Sequence, residues 1–151
     1  MAIWFRPFTI ADVARLRKGT MVEHIGIEIT EIGDDFLRGT MPVDARTRQA
    51  MGLLHGGASV ALAETLGSIA GAMMIDLGRQ SVVGLEINAS HVRAVRSGFV
   101  TGTARPVNIG RRVQVWQVDI ANAAGKPVCI TRLTLFVLDR PPPPITEPAS
   151  R

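Results

Sequence analysis

The stretch Leu53-Leu54-His55-Gly56-Gly57-Ala58-Ser59-Val60-Ala61-Leu62-Ala63-Glu64-Thr65-Leu66-Gly67-Ser68 decides how this chain is read. After a histidine and two glycines it continues as small and apolar residues. The pattern predicts a helix from about Gly57 to about Asp76. Between Met51 and Ile75, Glu64 is the one residue certainly charged at neutral pH. A helix apolar on every side is usually a buried one. A carboxylate in its middle is costly unless something compensates. Glu64 is therefore expected to be either a satisfied structural carboxylate or an acid or nucleophile lining a site, because perturbed buried carboxylates gather at such sites.

The start of the helix favours the second reading. Two glycines let the backbone pass close to a ligand with no Cβ in the way. The first N–H groups of a helix lack intrahelical partners, and the helix dipole is positive there. Such a terminus suits an anion, or the oxyanion that develops in acyl transfer. Glu64 and Ser68 share one helix face. Glu64 lies about two turns beyond Gly57, roughly 10 Å along the axis. That is too far for both to act on one carbonyl within a single chain. Two copies packed antiparallel would bring them together, so the spacing predicts a dimeric site.

Outward from the helix, the chain divides into short segments. Thr9 to Lys18 suits a helix with Thr9 as N-cap and Gly19 ending it. His24 reads as a surface or loop histidine. Gly26–Ile32, the turn Gly33-Asp34-Asp35 and Phe36–Met41 read as a hairpin. Pro42–Gln49 is a polar loop. After the helix, four strands are expected over Ser81–Ala94, Gly98–Val107, Arg111–Ala121 and Pro127–Leu138. Hairpin, helix and an antiparallel meander make an α+β arrangement. Residues 1–139 form one domain, and the proline-rich tail 140–151 is expected to be extended or disordered. Met73 and Met74 read as core.

The net charge is +4, from scattered basic residues without interleaved aromatics, which argues against nucleic acid. A small anionic ligand explains modest basicity as well. The single cysteine, Cys129, cannot form an internal disulfide and fits a reducing, cytoplasmic setting. No secretory signal is visible at the N-terminus. The long apolar stretch invites a membrane reading, but Glu64 at its centre and its glycines argue for a buried helix instead.

The stretch Gln49-Ala50-Met51-Gly52-Leu53-Leu54-His55-Gly56-Gly57, with Ala63-Glu64-Thr65-Leu66-Gly67-Ser68 behind it, resembles the hotdog-fold acyl-CoA thioesterases. Within them it is similar to the 4-hydroxybenzoyl-CoA thioesterase branch (PaaI-like), including the 1,4-dihydroxy-2-naphthoyl-CoA and enterobactin-pathway proofreading thioesterases. The likeness runs from about Trp4 to Leu138. It implies a six-stranded antiparallel sheet wrapped around one long helix, paired into homodimers or homotetramers with active sites at the subunit interface. The substrate would be an acyl-CoA with an aromatic or medium-sized acyl group, or an acyl-carrier-protein thioester. No metal or cofactor is implied, since coenzyme A enters as part of the substrate.

The resemblance also assigns roles. The Gly56 N–H would polarise the thioester carbonyl. Glu64, from the neighbouring subunit, would act as nucleophile or general base. Gln49 and His55 would orient the thioester and the attacking water, although His55 also reads as a plain N-cap. Ser68 would handle water beside Glu64. His91, Arg93 and Arg111 would meet the pantetheine and phosphate portions of CoA, and Val83 and Gly84 could line the acyl pocket. Ala94 and Val92 depart from the family pattern there. A hotdog hydratase or dehydratase is a second reading, disfavoured by a carboxylate nine positions after the histidine. A non-catalytic acyl-CoA-binding protein is a third, disfavoured because binding alone needs no Glu64.

Overall fold

A computed structural model describes residues 1–142 of the chain. The tail from residue 143 onward, with most of the expected extended segment, lies outside the described residues. Helix α1 spans Ile10–Ala14 and runs into a 3-10 turn, Arg15–Arg17. Thr9 caps α1 as expected: its side chain accepts from the Asp12 N–H while Asp12 reaches back, a closed capping box. A second short helix, α2 (Met21–His24), was not apparent in the sequence; its four residues carry no helical period to read. Strands β1 (Glu28–Ile32) and β2 (Leu37–Pro42) form the hairpin. The long helix α3 is Gly56–Met73, and β3 (Ser81–His91), β4 (Phe99–Ile109), β5 (Val113–Asn122) and β6 (Pro127–Leu138) follow.

All six strands join one antiparallel sheet in the order β1-β2-β4-β5-β6-β3. This corrects the expected meander. Of the four strands after the helix only β4, β5 and β6 are consecutive neighbours; β3 crosses the molecule and pairs with β6, from Ser81↔Leu138 to His91↔Cys129. The short, charged β1 ends one side of the sheet and the long β3 ends the other.

Helix α3 lies across the sheet at close range because glycines and leucines exchange places. A Cβ on Gly67 would stand 2.6 Å from Leu133 Cδ2, and one on Gly71 would run into Leu135 and stand 2.8 Å from Gln114 Oε1. In return, helix Leu66 fills the space left by Gly39 and Gly102 on the sheet, where Cβ atoms would come within 2.9 and 2.6 Å of it. Leu62, Leu66, Met73, Leu133 and Leu135 are fully or almost fully buried. Each such burial is worth about 1.5–3 kcal/mol. Gln114, buried beneath the helix, donates to the Gly71 carbonyl and accepts from Trp116 Nε1 at 3.0 Å, so its amide is satisfied. Trp4 stacks on Trp116 with ring centroids 6.4 Å apart and donates to the Gly33 carbonyl, which pins the N-terminal segment to the core. Met73 is core and Met74 packs against it.

The helix is not buried all round, contrary to expectation. Its sheet face carries Leu62, Ala63, Leu66, Gly67, Ala70, Gly71 and Met73, while Glu64 is exposed. No helix of the described residues is long and apolar enough to cross a membrane.

The helix–sheet packing has a direct test. Gly71→Ala puts a methyl group where Leu135 and Gln114 sit, and overpacking of this kind costs about 1–3 kcal/mol. Thermal unfolding should fall by roughly 2–4 °C for each kcal/mol lost in a chain of this size. An unchanged midpoint would show that the helix does not need this close approach.

Candidate active site

The loop before α3 builds the first half of the site. It is tied down at many points: the Val43 N–H donates to Gly98, Leu54 to Val95, His55 to Thr47 and Gln49 to Leu53, all at 2.8 Å. Thr47 is buried, and its hydroxyl donates to the Pro42 carbonyl at 2.7 Å. The Arg46 guanidinium, bonded to Asp44, holds that carboxyl down at about 2. A loop held this firmly presents fixed groups. Gln49, Leu54, Gly56 and Ser59 line a cleft of about 460 Å³ whose far wall is His91, Arg93 and Val128.

Gly56 is the pivot of this cleft. Its N–H has no acceptor among the described residues, as befits the first residue of a helix. His91 stands directly over it: a Cβ on Gly56 would lie 2.8 Å from His91 Nε2. A side chain at Gly56 would have to push the exposed His91 ring aside. Arg93 is exposed and anchored through Nε to the Pro127 carbonyl at 3.1 Å. Gln49 Oε1 accepts from the Met51 N–H, which fixes the amide over its own turn.

His55 sits elsewhere. Its Nδ1 accepts from the Gly57 N–H at 2.8 Å, so Nδ1 carries no proton and the ring caps the helix. The ring lines a separate, basic groove with Arg46, Arg48, Gly57 and Ala58 rather than the Gln49–Gly56–His91 cleft. The geometry thus matches the N-cap reading of His55 and does not bring it beside Gln49.

Glu64 and Ser68 do share a face, and they line a second cleft of about 300 Å³. Thr65 and Ile69 complete its helix side. Its other walls are Val13, Ala14, Leu16 and Arg17 from the N-terminal segment, Val22 from α2, and Ile27 and Ile29 of the hairpin. These wall residues were missed by the sequence reading. The apolar side of the N-terminal helix was legible, but nothing in it says which surface that side covers. Gly84 approaches Glu64 from β3: a Cβ there would stand 3.2 Å from Glu64 Oε1. Its neighbour Val83 points the other way, as strand alternation requires, into a shallow groove with Ser81 and Leu138.

Within one chain, then, the expected residues fall into two half-sites. Gln49, Gly56, His91 and Arg93 form one; Glu64, Ser68 and Gly84 form the other. Arg111 belongs to neither. It is exposed just before β5, whose Val113 aligns with Phe136 and so with Val83, at the opposite end of β3 from His91. Val83 and His91 are about 26 Å apart along the strand at its usual rise.

The match to known proteins covers the same parts. The model of the thioesterase superfamily matches residues 51–129, from the loop before α3 to the start of β6. The chain is 50% identical over 136 residues to the 1,4-dihydroxy-2-naphthoyl-CoA hydrolase of Escherichia coli K12, covering 90% of this chain and 99% of that one. It is 52% identical over 136 residues to the proofreading thioesterase EntH of Cronobacter turicensis, covering 90% and 98%. A crystal structure of a thioesterase from Haemophilus influenzae superposes with a TM-score of 0.88 at 51% identity, covering 91% of this chain and 95% of that one. A six-stranded sheet packed on one glycine-led helix, a free N–H at that helix start and these likenesses lead to one conclusion: the chain belongs to the thioesterase superfamily and has its hotdog fold.

Proposed function

We propose that this protein hydrolyses acyl-CoA thioesters with aromatic or medium-sized acyl groups, at a site assembled from two copies of the chain. The observation that carries this reading is the placement of the two half-sites along one free strand edge. Gly84, beside Glu64, and His91, above Gly56, lie seven residues apart on β3. Among the described residues β3 pairs with β6 on one side only and leaves its other edge open, with Val83 and Leu85 exposed. A long edge strand of this kind is a template for pairing with another chain. If two β3 strands pair antiparallel about Asn88, with the bulge between Gly84 and Glu86 taking up one residue, Gly84 of each stands opposite His91 of the partner subunit. Glu64 of one copy then faces the Gly56 N–H of the other. The same pairing turns the Arg111 end of one copy toward the His91 end of the other. A homodimer, or a tetramer built from two such dimers, follows from this.

In this arrangement the Gly56 N–H, at the positive end of α3, polarises the thioester carbonyl and stabilises the oxyanion. Glu64 attacks the carbonyl carbon to give a mixed anhydride that water then opens, or it takes a proton from the attacking water. Either route expels CoA thiolate and leaves the free acid. The Ser68 and Thr65 hydroxyls hold water beside Glu64. The Gln49–Gly56–His91 cleft receives the pantetheine arm, with Arg93 at its mouth for phosphate. An acyl-carrier protein presents the same arm, so its thioesters are a second substrate form. CoA is part of the substrate, and the mechanism asks for no metal or other cofactor. The single cysteine is buried, which pushes its thiol up, and a cytoplasmic location fits it.

Glu64→Gln keeps size and hydrogen bonding but removes nucleophile and base, so kcat should fall at least about 10²-fold. Because Glu64 is exposed in the single chain, the melting temperature and substrate binding should stay close to wild type. Intact turnover with an altered melting temperature would assign Glu64 to structure instead. For the nucleotide side, neutralising Arg93 should raise KM for a CoA ester far more than for a short thioester without the nucleotide. Equal effects on both would remove Arg93 from phosphate binding.

A further inference from the structure

Arg17 is the one basic residue lining the Glu64 cleft, and none of the roles above uses it. Its Nε is buried and has no hydrogen-bond acceptor among the described residues. One terminal nitrogen donates to Glu28 Oε1 at 3.2 Å. Glu28 is 62% exposed, so this pair is a surface latch of small worth. A buried donor left without a partner is costly, and native proteins rarely keep one without a use for it. This Nε is closed to solvent in the single chain, and a molecule seated in the cleft beside it can supply the acceptor.

The rest of the cleft explains where that molecule lies. Glu64, Thr65 and Ser68 stand on the α3 wall, where the reacting carbonyl belongs. Arg17 stands on the N-terminal segment, which forms another wall, and Val13, Leu16 and Val22 around it are apolar. A purely hydrocarbon acyl group would satisfy these side chains and leave the Arg17 Nε without an acceptor. We propose that Arg17 is a specificity-determining residue, selecting acyl groups that carry a hydrogen-bond acceptor away from the thioester. The acceptor draws the guanidinium into the cleft and off Glu28, a turn made easy by the weakness of the exposed pair. This rests on the reading of the Glu64 cleft as the acyl-binding part of the thioesterase site.

The test uses isosteric pairs of CoA esters: 3- and 4-hydroxybenzoyl-CoA, each against the corresponding methylbenzoyl-CoA. Wild type should prefer at least one hydroxyl ester over its methyl isostere. Arg17→Met keeps the length of the chain and removes its donors. It should reduce that kcat/KM ratio about tenfold or more. Arg17→Lys, which keeps the charge but lacks Nε, should fall between, and thermal melts of both variants check that the fold is kept. Glu28→Gln, which frees the latch alone, should leave the preference intact. An equal loss for both members of each pair, or no preference in wild type, overturns the role of Arg17 while thioesterase activity stands. No turnover of any ester by wild type overturns the thioesterase reading itself, and this inference with it.

Discussion

The structure depends on how closely α3 can approach the sheet. Gly67 and Gly71 on the helix admit Leu133 and Leu135 from β6, while Gly39 and Gly102 on the sheet admit Leu66 from the helix. With methyl groups at these positions the helix would have to stand off, and the buried leucines would lose the contacts that make their burial worthwhile. This interlock fixes the rotation of α3 about its axis. It thereby decides that Gly56 meets His91 at one end and that Glu64 turns outward toward Gly84 and the N-terminal wall. The placement of the chemistry is a consequence of the packing.

The same constraint explains why the site is split. A straight helix cannot bring its first residue and its ninth to one carbonyl, since about 12 Å separates them along the axis. The cleft at the helix start is larger and has the more polar lining, whereas the cleft at Glu64 is smaller and mostly apolar. Each holds what the other lacks: a free N–H donor on one side, a carboxylate with two hydroxyls on the other. β3 connects them, because both Gly84 and His91 lie on it and its outer edge is unpaired. In the proposed dimer, pairing two such edges would cover exposed Val83 and Leu85 and complete two sites at once.

Much of this was legible in the sequence, and the gaps have physical causes. The start of α3 was within a residue because His55-Gly56-Gly57 is a terminus signal, and β6 was read at its full length, Pro127–Leu138, because glycine and proline bound it. The helix end was placed too late because Met74, Ile75 and Asp76 continue its apolar and small-residue pattern without a breaker. Alternation marks β3 as a strand but does not name its neighbour, so its move to the far edge beside β6 was not foreseen. The exposure of Glu64 was misjudged for a similar reason. Small residues such as Ala61, Thr65 and Ser68 look apolar in a composition window, yet they form the partly covered face of a helix packed on one side only. His55 carried both of its roles in the sequence, and the bond from the Gly57 N–H shows the capping one. Arg17 gave no signal, since an arginine near a glycine reads as a solvated terminus until the N-terminal segment is seen folded over the cleft.

The central claim is that one turnover needs the Gly56 end of one chain and the Glu64 of another. The most direct test is complementation between two inactive variants. Glu64→Gln removes the carboxylate, and Gly56→Ala sets a methyl group against His91, beside the N–H donor and in the way of the carbonyl it would polarise. A hybrid dimer carries both defects in one site and none in the other. With random pairing of co-expressed chains, about a quarter of all sites are then intact. The mixture should regain about a quarter of the wild-type rate, although each variant alone is nearly inactive. A mixture no more active than the sum of its parts would contradict the account and place the whole reaction within a single chain.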